Sequence, residues 1–328
     1  MIRFIPSTEV RVPITFSSAA EAEALVKTNE QDFDARLDAA ASAIAADCVE
    51  RSVRVLRLSG PTCAGKTTTA KKLTEALEAA GRVVHPISID DFYYDRAILH
   101  EQSKHLPGQA LDYDSVKTID LPTLSTCVHR LMNEGRADIP MFDFITGNRV
   151  GYQELVIPAE EKPVFLFEGI QAVYPEVAAL FADVPCRSIF INVMRPTVLV
   201  DKKGNERVFS PDRIRLLRRL VRDEAKRGAI PDFTISLWRS VIANERTSIL
   251  PYAGDCDYGI DSNMAFDIHM LAPHLRRILS EHPCDGEEME TAEDILRAID
   301  GVEGISDDLL ASNSLYHEFI LRKSGAVN

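Results

Sequence analysis

Apolar runs of strand length alternate with stretches of helical periodicity between Arg51 and about Leu279. The strand-like runs fall at residues 53–58, 83–89, 164–167 and 188–193, and the helical stretches at 67–80, 115–133, 174–181 and 213–226. This alternation predicts an α/β fold with a parallel sheet. Since residues 164–167 and 189–191 are apolar at every position, we expect them at the centre of the sheet, with helices covering both faces.

Two terminal segments lie outside this alternation. Residues 1–50 contain an Ala-rich stretch at 33–48, in which Leu37, Ala41, Ile44 and Ala45 recur at helical spacing, which predicts an N-terminal helical appendage. Residues 281–328 include a helical segment at 292–299 and are predicted to form a C-terminal helical tail, used for packing or oligomerisation. The functional domain is therefore predicted to span residues 51–280.

Composition narrows the class of protein. The chain has 328 residues, of which 45% are hydrophobic and 27% charged, as in an ordinary soluble globular protein. Its 37 Lys and Arg against 50 Asp and Glu give a net charge of −13, which argues against nucleic acid or anionic lipid as a partner. No apolar run reaches the ~18 residues of a membrane span. Six scattered cysteines without a CxxC pair indicate neither a zinc site nor a disulfide framework, and fit a cytoplasmic location.

A phosphate-binding loop follows the first strand-like run. The sequence GPTCAGKT, from Gly60 to Thr67, matches GxxxxGK[ST] completely and leads into helix-forming residues. Its glycines let backbone N–H groups turn inward around an anion, Lys66 reaches the β and γ phosphates, and the Thr67 hydroxyl can bind Mg²⁺. We therefore predict ATP and Mg²⁺ as cofactors. The loop residues predicted to bind the nucleotide are Gly60, Thr62, Cys63, Ala64, Gly65, Lys66, Thr67 and Thr68.

Acidic residues follow two of the strand-like runs. Asp90 and Asp91 come directly after residues 83–89, and Glu168 directly after 164–167. Ligands of open parallel sheets bind beyond the carboxyl ends of the strands, where these acids can meet a γ-phosphate and its metal. Phosphoryl transfer needs one carboxylate near the acceptor hydroxyl and another near Mg²⁺, so we predict Asp90 as the base and Glu168, with Thr67 and Asp90, around the metal. The alternative is that these acids are helix N-caps, Asp91 especially.

An arginine-rich segment stands out in this acidic protein. Arg215, Arg218, Arg219 and Arg222 share one face of a predicted helix, with apolar residues on the other side. Like charges at this spacing destabilise an isolated helix by roughly 0.2–0.5 kcal/mol per pair, which favours an arriving anion as their partner. We predict a lid at about 211–232 that closes over ATP. The alternatives are a local RNA contact, or a solvated face that pairs with the nearby acids Asp212, Asp223 and Glu224.

These motifs, in this order, resemble the uridine kinase and phosphoribulokinase family of P-loop kinases, and the long uridine-kinase-like proteins most closely. The resemblance covers about 53–262 and rests on GPTCAGKT, SIDDFY, LDYD, IPMFDF with Arg149, FEGI and RLLRRLVRDEAKRG. It implies a P-loop core with a parallel five-stranded sheet, an Arg-rich lid, a small-molecule substrate and Lys66, Asp90 and Arg222 as catalytic residues. It also implies that Arg219 and Arg222 bind the nucleotide. The residues that it implies for the acceptor are Tyr93, Asp114, Phe142, Phe144, Arg149, Arg219 and Arg227. For Phe142 and Phe144, packing in the core is the alternative.

Three departures from the family pattern concern the acceptor. Gly147 stands where uridine kinases usually carry a His that contacts the pyrimidine, Phe142 stands where they carry Tyr, and Ala229 follows Gly228 where they carry Arg. The first hypothesis is a pyrimidine nucleoside kinase. The second is a kinase for another hydroxylated metabolite, such as a sugar phosphate or pantothenate. The third is a regulator that binds ATP without catalysis. A homo-oligomer is compatible with all three.

Overall fold

The computed structural model describes residues 8–103 and 114–321. The strands are β1 Val10–Pro13, β2 Val55–Ser59, β3 Val83–Ser88, β4 Arg136–Asp143, β5 Asn148–Val156, β6 Pro163–Glu168, β7 Cys186–Asn192, β8 Thr197–Val200, β9 Glu206–Phe209 and β10 Tyr258–Asp261. The α-helices are α1 Ala19–Glu50, α2 Lys66–Ala79, α3 Arg96–Ser103, α4 Leu121–Glu134, α5 Pro175–Ala179, α6 Pro211–Arg227, α7 Pro231–Asn244, α8 Leu250–Ala253, α9 Asp267–Glu281 and α10 Gly286–Ala298. Short 3-10 turns at Ile89–Phe92, Ile170–Val173 and Leu315–Glu318 add to them.

A five-stranded parallel sheet forms the centre of the molecule, in the order β10-β7-β2-β6-β3. Every residue of β6 is buried, as expected for a strand that helices cover on both faces. The prediction of an α/β fold with a parallel five-stranded sheet is therefore confirmed. The four predicted strands lie in this sheet, within two residues of their predicted ends. No helix of the described part of the chain is long and apolar enough to cross a membrane.

Both terminal segments pack into the same hydrophobic core as the sheet. On α1, Phe33, Leu37 and Ile44 are buried in that core, and the helix is twice as long as the predicted stretch at 33–48. Ser18 caps its first turn by accepting a hydrogen bond from the amide of Glu21. After α10, Tyr316 and Phe319 are also fully buried. The described parts of residues 1–50 and 281–328 therefore complete the core around the sheet.

Two antiparallel hairpins lie outside the central sheet and have no counterpart in the sequence prediction. β4 and β5 form a two-stranded ribbon, and β8 and β9 form a hairpin to which β1 adds in parallel. The β4–β5 ribbon exposes several apolar side chains, among them Ile145, Val150 and Tyr152. A ribbon of this kind buries little of its length and contains Gly and Pro, so its hydrophobic pattern is weak.

Candidate active site

The loop between β2 and α2 turns tightly against the next strand of the sheet. A Cβ atom at Gly60 would lie 2.1 Å from the carbonyl oxygen of Ile191 on β7. Gly65 adopts a left-handed conformation with φ 92° before α2 begins at Lys66, and Cys63 adopts φ 57°. The first turn of α2 points its amides into the loop, and the Nζ of Lys66 donates to the carbonyl of Pro61 at 3.0 Å. The loop thus has the form of an anion site at a helix N-terminus.

We expect Gly60→Ala to abolish ATP binding by the folded protein, because the added methyl group displaces the loop from β7. Isothermal titration calorimetry with ATP measures this loss, and circular dichroism checks the fold. Gly254→Ala is the matched control, since a Cβ there meets no atom within 4 Å. Wild-type ATP affinity in folded Gly60→Ala would show that the loop does not bind the phosphates.

The carboxyl groups of Asp90 and Glu168 lie beyond the ends of two neighbouring strands. Ser88 pairs with Glu168 in the β3–β6 ladder, and Asp90 follows two residues later in a 3-10 turn. Gly169 allows this approach, since a Cβ there would lie 2.8 Å from the Cβ of Ile89. The Thr67 hydroxyl donates to Oε1 of Glu168 at 3.3 Å. Oε2 of Glu168 and Oδ1 of Asp90 are buried without a hydrogen-bond partner.

Burial and like charge raise the pKa values of both carboxyl groups. Glu168 is 8% exposed. Its pKa is raised to about 7, first by burial and then by Asp90, while Lys66 opposes the shift. Burial also raises the pKa of Asp90, against the effect of Lys66. Buried carboxylates whose oxygens lack partners are stabilised by a cation or a hydrogen-bond donor.

The site fits Mg²⁺, which binds through one or two carboxylates together with phosphate oxygens and water. The oxygens available are the unpartnered atoms of Asp90 and Glu168 and the hydroxyl of Thr67. Within the described residues no group of three His, Cys, Asp or Glu side chains forms a complete metal cage. The donor set therefore suits a cation that a bound nucleotide helps to hold.

An aromatic wall stands beside Asp90. The ring centroids of Tyr93 and Phe142 are 5.6 Å apart, and Phe144 meets Phe142 edge-on at 5.2 Å. Tyr93 is buried and its hydroxyl accepts from Nε2 of Gln171 at 3.1 Å, whereas Phe144 is 59% exposed. The exposure of Phe144 is unusual for a core residue and is typical of the rim of a pocket. The negative charge of Asp114 contributes to the raised pKa of Tyr93, which places Asp114 near the same wall.

Arg149 lies on the ribbon with its guanidinium held by other side chains. It donates to Oδ2 of Asp120 at 3.2 Å and to the Tyr152 hydroxyl at 3.1 Å. At the tip of the ribbon, Gly147 has φ 70°, and a Cβ there would lie 2.6 Å from Nε of Arg96. The guanidinium of Arg96 thus occupies the space that a side chain at position 147 would need.

Two of the four arginines predicted to share one face of α6 are structural, which corrects the prediction that all four face an arriving anion. Arg215 forms a two-pronged pair with Glu245, with both N–O distances 2.6 Å, and Arg218 pairs with Asp267 at 2.8 Å. All four side chains are almost fully buried. Each arginine also donates to a loop carbonyl, that of Thr62 at 3.3 Å and that of Cys63 at 3.4 Å respectively. Their carboxylates come from α9 and the turn after α7, and the pairs brace the phosphate loop.

Three further arginines of α6, Arg219, Arg222 and Arg227, gather around Asp223. Arg222 donates to Oδ1 at 2.7 Å, Arg219 to Oδ2 at 3.2 Å, and Arg227 lies 3.5 Å from Oδ1. Burial by itself raises the pKa of Asp223, but the three arginines hold it below its ordinary value. Arg222 also comes within 3.5 Å of the Thr62 hydroxyl. This cluster therefore places positive charge beside the phosphate loop.

Four residues that contact side chains or backbone of the site were not predicted from the sequence. Glu245 and Asp267 hold the bracing arginines, Gln171 holds Tyr93, and Glu318 accepts a hydrogen bond from the backbone N–H of Thr68 at 3.2 Å. The phosphate loop alone did not indicate Glu318, because 250 residues separate it from Thr68. No local pattern marks any of the four.

The parallel sheet, the glycine loop at the N-terminus of α2 and the acids at the strand ends define a nucleotide-binding protein of the P-loop class. Residues 55–202 match the model of the phosphoribulokinase / uridine kinase family. This match confirms the resemblance predicted from the motifs.

The chain is similar in sequence or structure to several named kinases, and the matched part of the chain differs from one to the next. The uridine kinase of Schizosaccharomyces pombe is 30% identical over 142 residues, which are 43% of this chain and 29% of that protein. The uridine kinase of Lactobacillus helveticus is 24% identical over 238 residues, 69% of this chain and 96% of that protein. The phosphoribulokinase of Rhodobacter spheroides covers 65% of this chain and 74% of its own, with a TM-score of 0.44 and 15% identity. The chain spans less than a third of the length of several curated relatives, the fission yeast protein among them.

Proposed function

We propose that this protein is an ATP-dependent kinase that transfers a phosphoryl group to a hydroxyl of a small metabolite. The observation that carries the proposal is the placement of two carboxyl groups, each with a buried oxygen that has no hydrogen-bond partner, beside the phosphate loop and Lys66. A protein that only binds ATP needs the loop but does not need a base next to it. The family match over residues 55–202 supports the same conclusion.

Each residue of the site has a part in this proposal. The amides of the loop and Lys66 hold the β and γ phosphates of ATP. Thr67 and Glu168 would hold Mg²⁺, which would neutralise charge on the phosphates. Asp90 accepts the proton of the acceptor hydroxyl as its oxygen attacks the γ-phosphorus, and the bond from that phosphorus to the β–γ bridging oxygen breaks to release ADP. Arg222 and Arg219 place positive charge next to the phosphates.

We propose a nucleoside as the acceptor. The aromatic wall of Tyr93, Phe142 and Phe144 offers a flat apolar surface of the kind on which a base packs. Asp114 lies near that wall and supplies a carboxylate that can accept hydrogen bonds from ribose hydroxyls. The relatives named uridine kinase support this choice of acceptor.

The position of Arg96 favours a second candidate, a kinase for an acceptor that carries its own negative charge. Its side chain is exposed and lies over Gly147 at the tip of the ribbon. Within residues 8–103 and 114–321, no carboxylate forms an ion pair with it. An exposed guanidinium without a carboxylate partner can bind a phosphate or carboxylate group of a ligand through two parallel hydrogen bonds. A sugar phosphate or a carboxylated alcohol has the required chemistry.

The experiment that tests the proposal measures ADP formation from ATP and Mg²⁺ with a panel of acceptors. The panel contains uridine, cytidine, purine nucleosides, pentose phosphates and pantothenate, with a reaction without acceptor as control. We expect a pyrimidine nucleoside to stimulate ADP formation at least about tenfold and to yield its 5′-monophosphate, because positioning of the acceptor supplies much of the acceleration. ATP binding without stimulation by any acceptor would contradict the kinase proposal and favour an ATP-binding regulator.

Arg96→Gln separates the two candidate acceptors within this experiment. A charge-assisted hydrogen bond is worth about 1.5–3 kcal/mol, so its loss raises the KM of an anionic acceptor by roughly 10- to 100-fold. The KM of a neutral nucleoside is expected to stay within about twofold, since it offers Arg96 no charge. If a pentose phosphate stimulates ADP formation and Arg96→Gln raises its KM by this factor, the anionic metabolite replaces the nucleoside as the proposed acceptor.

A further inference from the structure

The short turn Leu315–Glu318 lies directly on the phosphate loop, although it is 250 residues away in sequence. A Cβ atom at Gly65 would lie 2.5 Å from Cδ1 of Leu315. Oε2 of Glu318 accepts from the backbone N–H of Thr68 at 3.2 Å. Lys226, in the last turn of α6, donates to the carbonyl of His317 at 2.5 Å. The turn therefore touches the loop, the first turn of α2 and the end of α6.

The backbone of this turn is firmly anchored. Tyr316 and Phe319 are fully buried, and both rings lie against the guanidinium of Arg218, at 5.7 and 5.0 Å from their centroids. The Tyr316 hydroxyl donates to Oδ1 of Asp267, which also accepts from Arg218. Displacing the turn as a whole would break up this buried cluster. Of the contacts between the turn and α2, the one through the Glu318 side chain can consequently break while the turn stays in place, because Glu318 is only partly buried.

The amide that Glu318 occupies is one that a bound triphosphate needs. The N–H of Thr68 belongs to the first turn of α2 and has no partner within the helix, like the first amides of any helix. Such amides hold phosphate oxygens at a helix N-terminus. The negative charge of Glu318 acts on Glu168 and Arg222, so it lies within electrostatic range of both sides of the site. A carboxylate and a phosphate oxygen cannot share one N–H donor without strong repulsion.

We propose that Glu318 is a residue of the nucleotide site whose carboxylate occupies a phosphate position and is displaced when ATP binds. The idea rests on the proposed function only in requiring that the loop binds nucleotide phosphate. In the nucleotide-free protein the carboxylate satisfies the Thr68 amide. Phosphate binding breaks that hydrogen bond and turns the Glu318 side chain away, which lowers the affinity for ATP.

Calorimetric titration of ATP and of inorganic tripolyphosphate, without an acceptor, tests this proposal. Glu318→Ala is expected to bind both ligands about tenfold more tightly, because neither the hydrogen bond nor the charge has to be displaced. Glu318→Gln keeps an acceptor oxygen without the charge, so its affinity is expected to lie between those of the wild type and Glu318→Ala. Glu290→Ala, an exposed change on α10, is expected to match the wild type.

Thermal melting without ligand shows whether each variant is folded. If Glu318→Ala does not fold, the calorimetric comparison is made between Glu318→Gln and the wild type. Unchanged or weaker binding of both ligands by the folded variants would overturn the displacement proposal. Absence of binding by every variant would overturn it together with nucleotide binding by the loop. Tighter ATP binding in Glu318→Ala, in a protein that no acceptor stimulates, would support the role of Glu318 and contradict only the kinase proposal.

Discussion

Asp90→Asn is expected to lower acceptor-dependent ADP formation by about 10²–10⁴-fold, the range that a general base contributes. Asparagine has almost the same shape but accepts no proton at neutral pH, so the acceptor hydroxyl keeps its hydrogen. ATP affinity is expected to stay within a few-fold of the wild type, because the loop amides and Lys66 hold the phosphates. Steady-state kinetics with the best acceptor of the panel and calorimetric titration of ATP measure the two effects separately.

Asp91→Asn is the matched control for this prediction. Asp91 is the neighbouring carboxylate and accepts a hydrogen bond from the amide of Phe142 at 3.2 Å, which an asparagine oxygen can also do. Its variant is expected to keep turnover within a few-fold of the wild type. Equal losses in both variants would show that the turn, and not a base at position 90, had been damaged. Full activity of Asp90→Asn would exclude Asp90 as the base.

Arg218→Met is expected to lower the free energy of unfolding by about 3–5 kcal/mol, because it leaves the buried carboxylate of Asp267 without its partner. Both side chains are 0% exposed, and two N–O contacts of 2.8 Å join them. The substitution also removes the donors to the carbonyls of Cys63 and Ser262. Unfolding in guanidinium chloride, followed by circular dichroism, measures the loss. ATP affinity of the folded fraction should fall as well, since the loop loses a brace.

Arg277→Met is the control for burial in this experiment. Arg277 forms two-pronged contacts with Glu224 at 3.0 Å, but its side chain is 44% exposed. An exposed pair of this kind contributes roughly 0–1 kcal/mol. A loss below about 1 kcal/mol in Arg218→Met would mean that the buried pair is no more important than the exposed one. The inference that Arg218 braces the phosphate loop would then be wrong.

The arrangement of α6 changes how the arginine-rich helix can act. The prediction left all four arginines of this face to an arriving anion, whereas Arg215 and Arg218 are bound to carboxylates of the core. Of these four, Arg219 and Arg222 pair with Asp223 and can exchange that carboxylate for a phosphate. Any closing motion of α6 over a nucleotide therefore has to preserve the two buried pairs, and the mobile part is expected toward Arg227.

Features that depend on neighbouring residues could be predicted from the sequence. Strand β2, the glycines of the loop and the start of α2 follow one another within a dozen positions, so their pattern specified the loop directly. Asp90 and Glu168 were found because acids at the ends of parallel strands lie at one edge of the sheet. A continuous apolar run also sufficed to place β6 at the centre.

The pairing of charged residues, in contrast, depends on how distant elements pack together. Helical periodicity placed Arg215, Arg218, Arg219 and Arg222 on one face but carried no information about partners 30 and 49 residues away. The contact of Glu318 with Thr68 spans 250 residues and depends on a turn anchored by Tyr316. Local sequence fixes backbone conformation over a few residues, whereas a buried charge takes its partner from whatever element packs against it. The fold therefore made two arginines, which were expected to face an arriving anion, into supports of the loop, and brought a distant glutamate onto it.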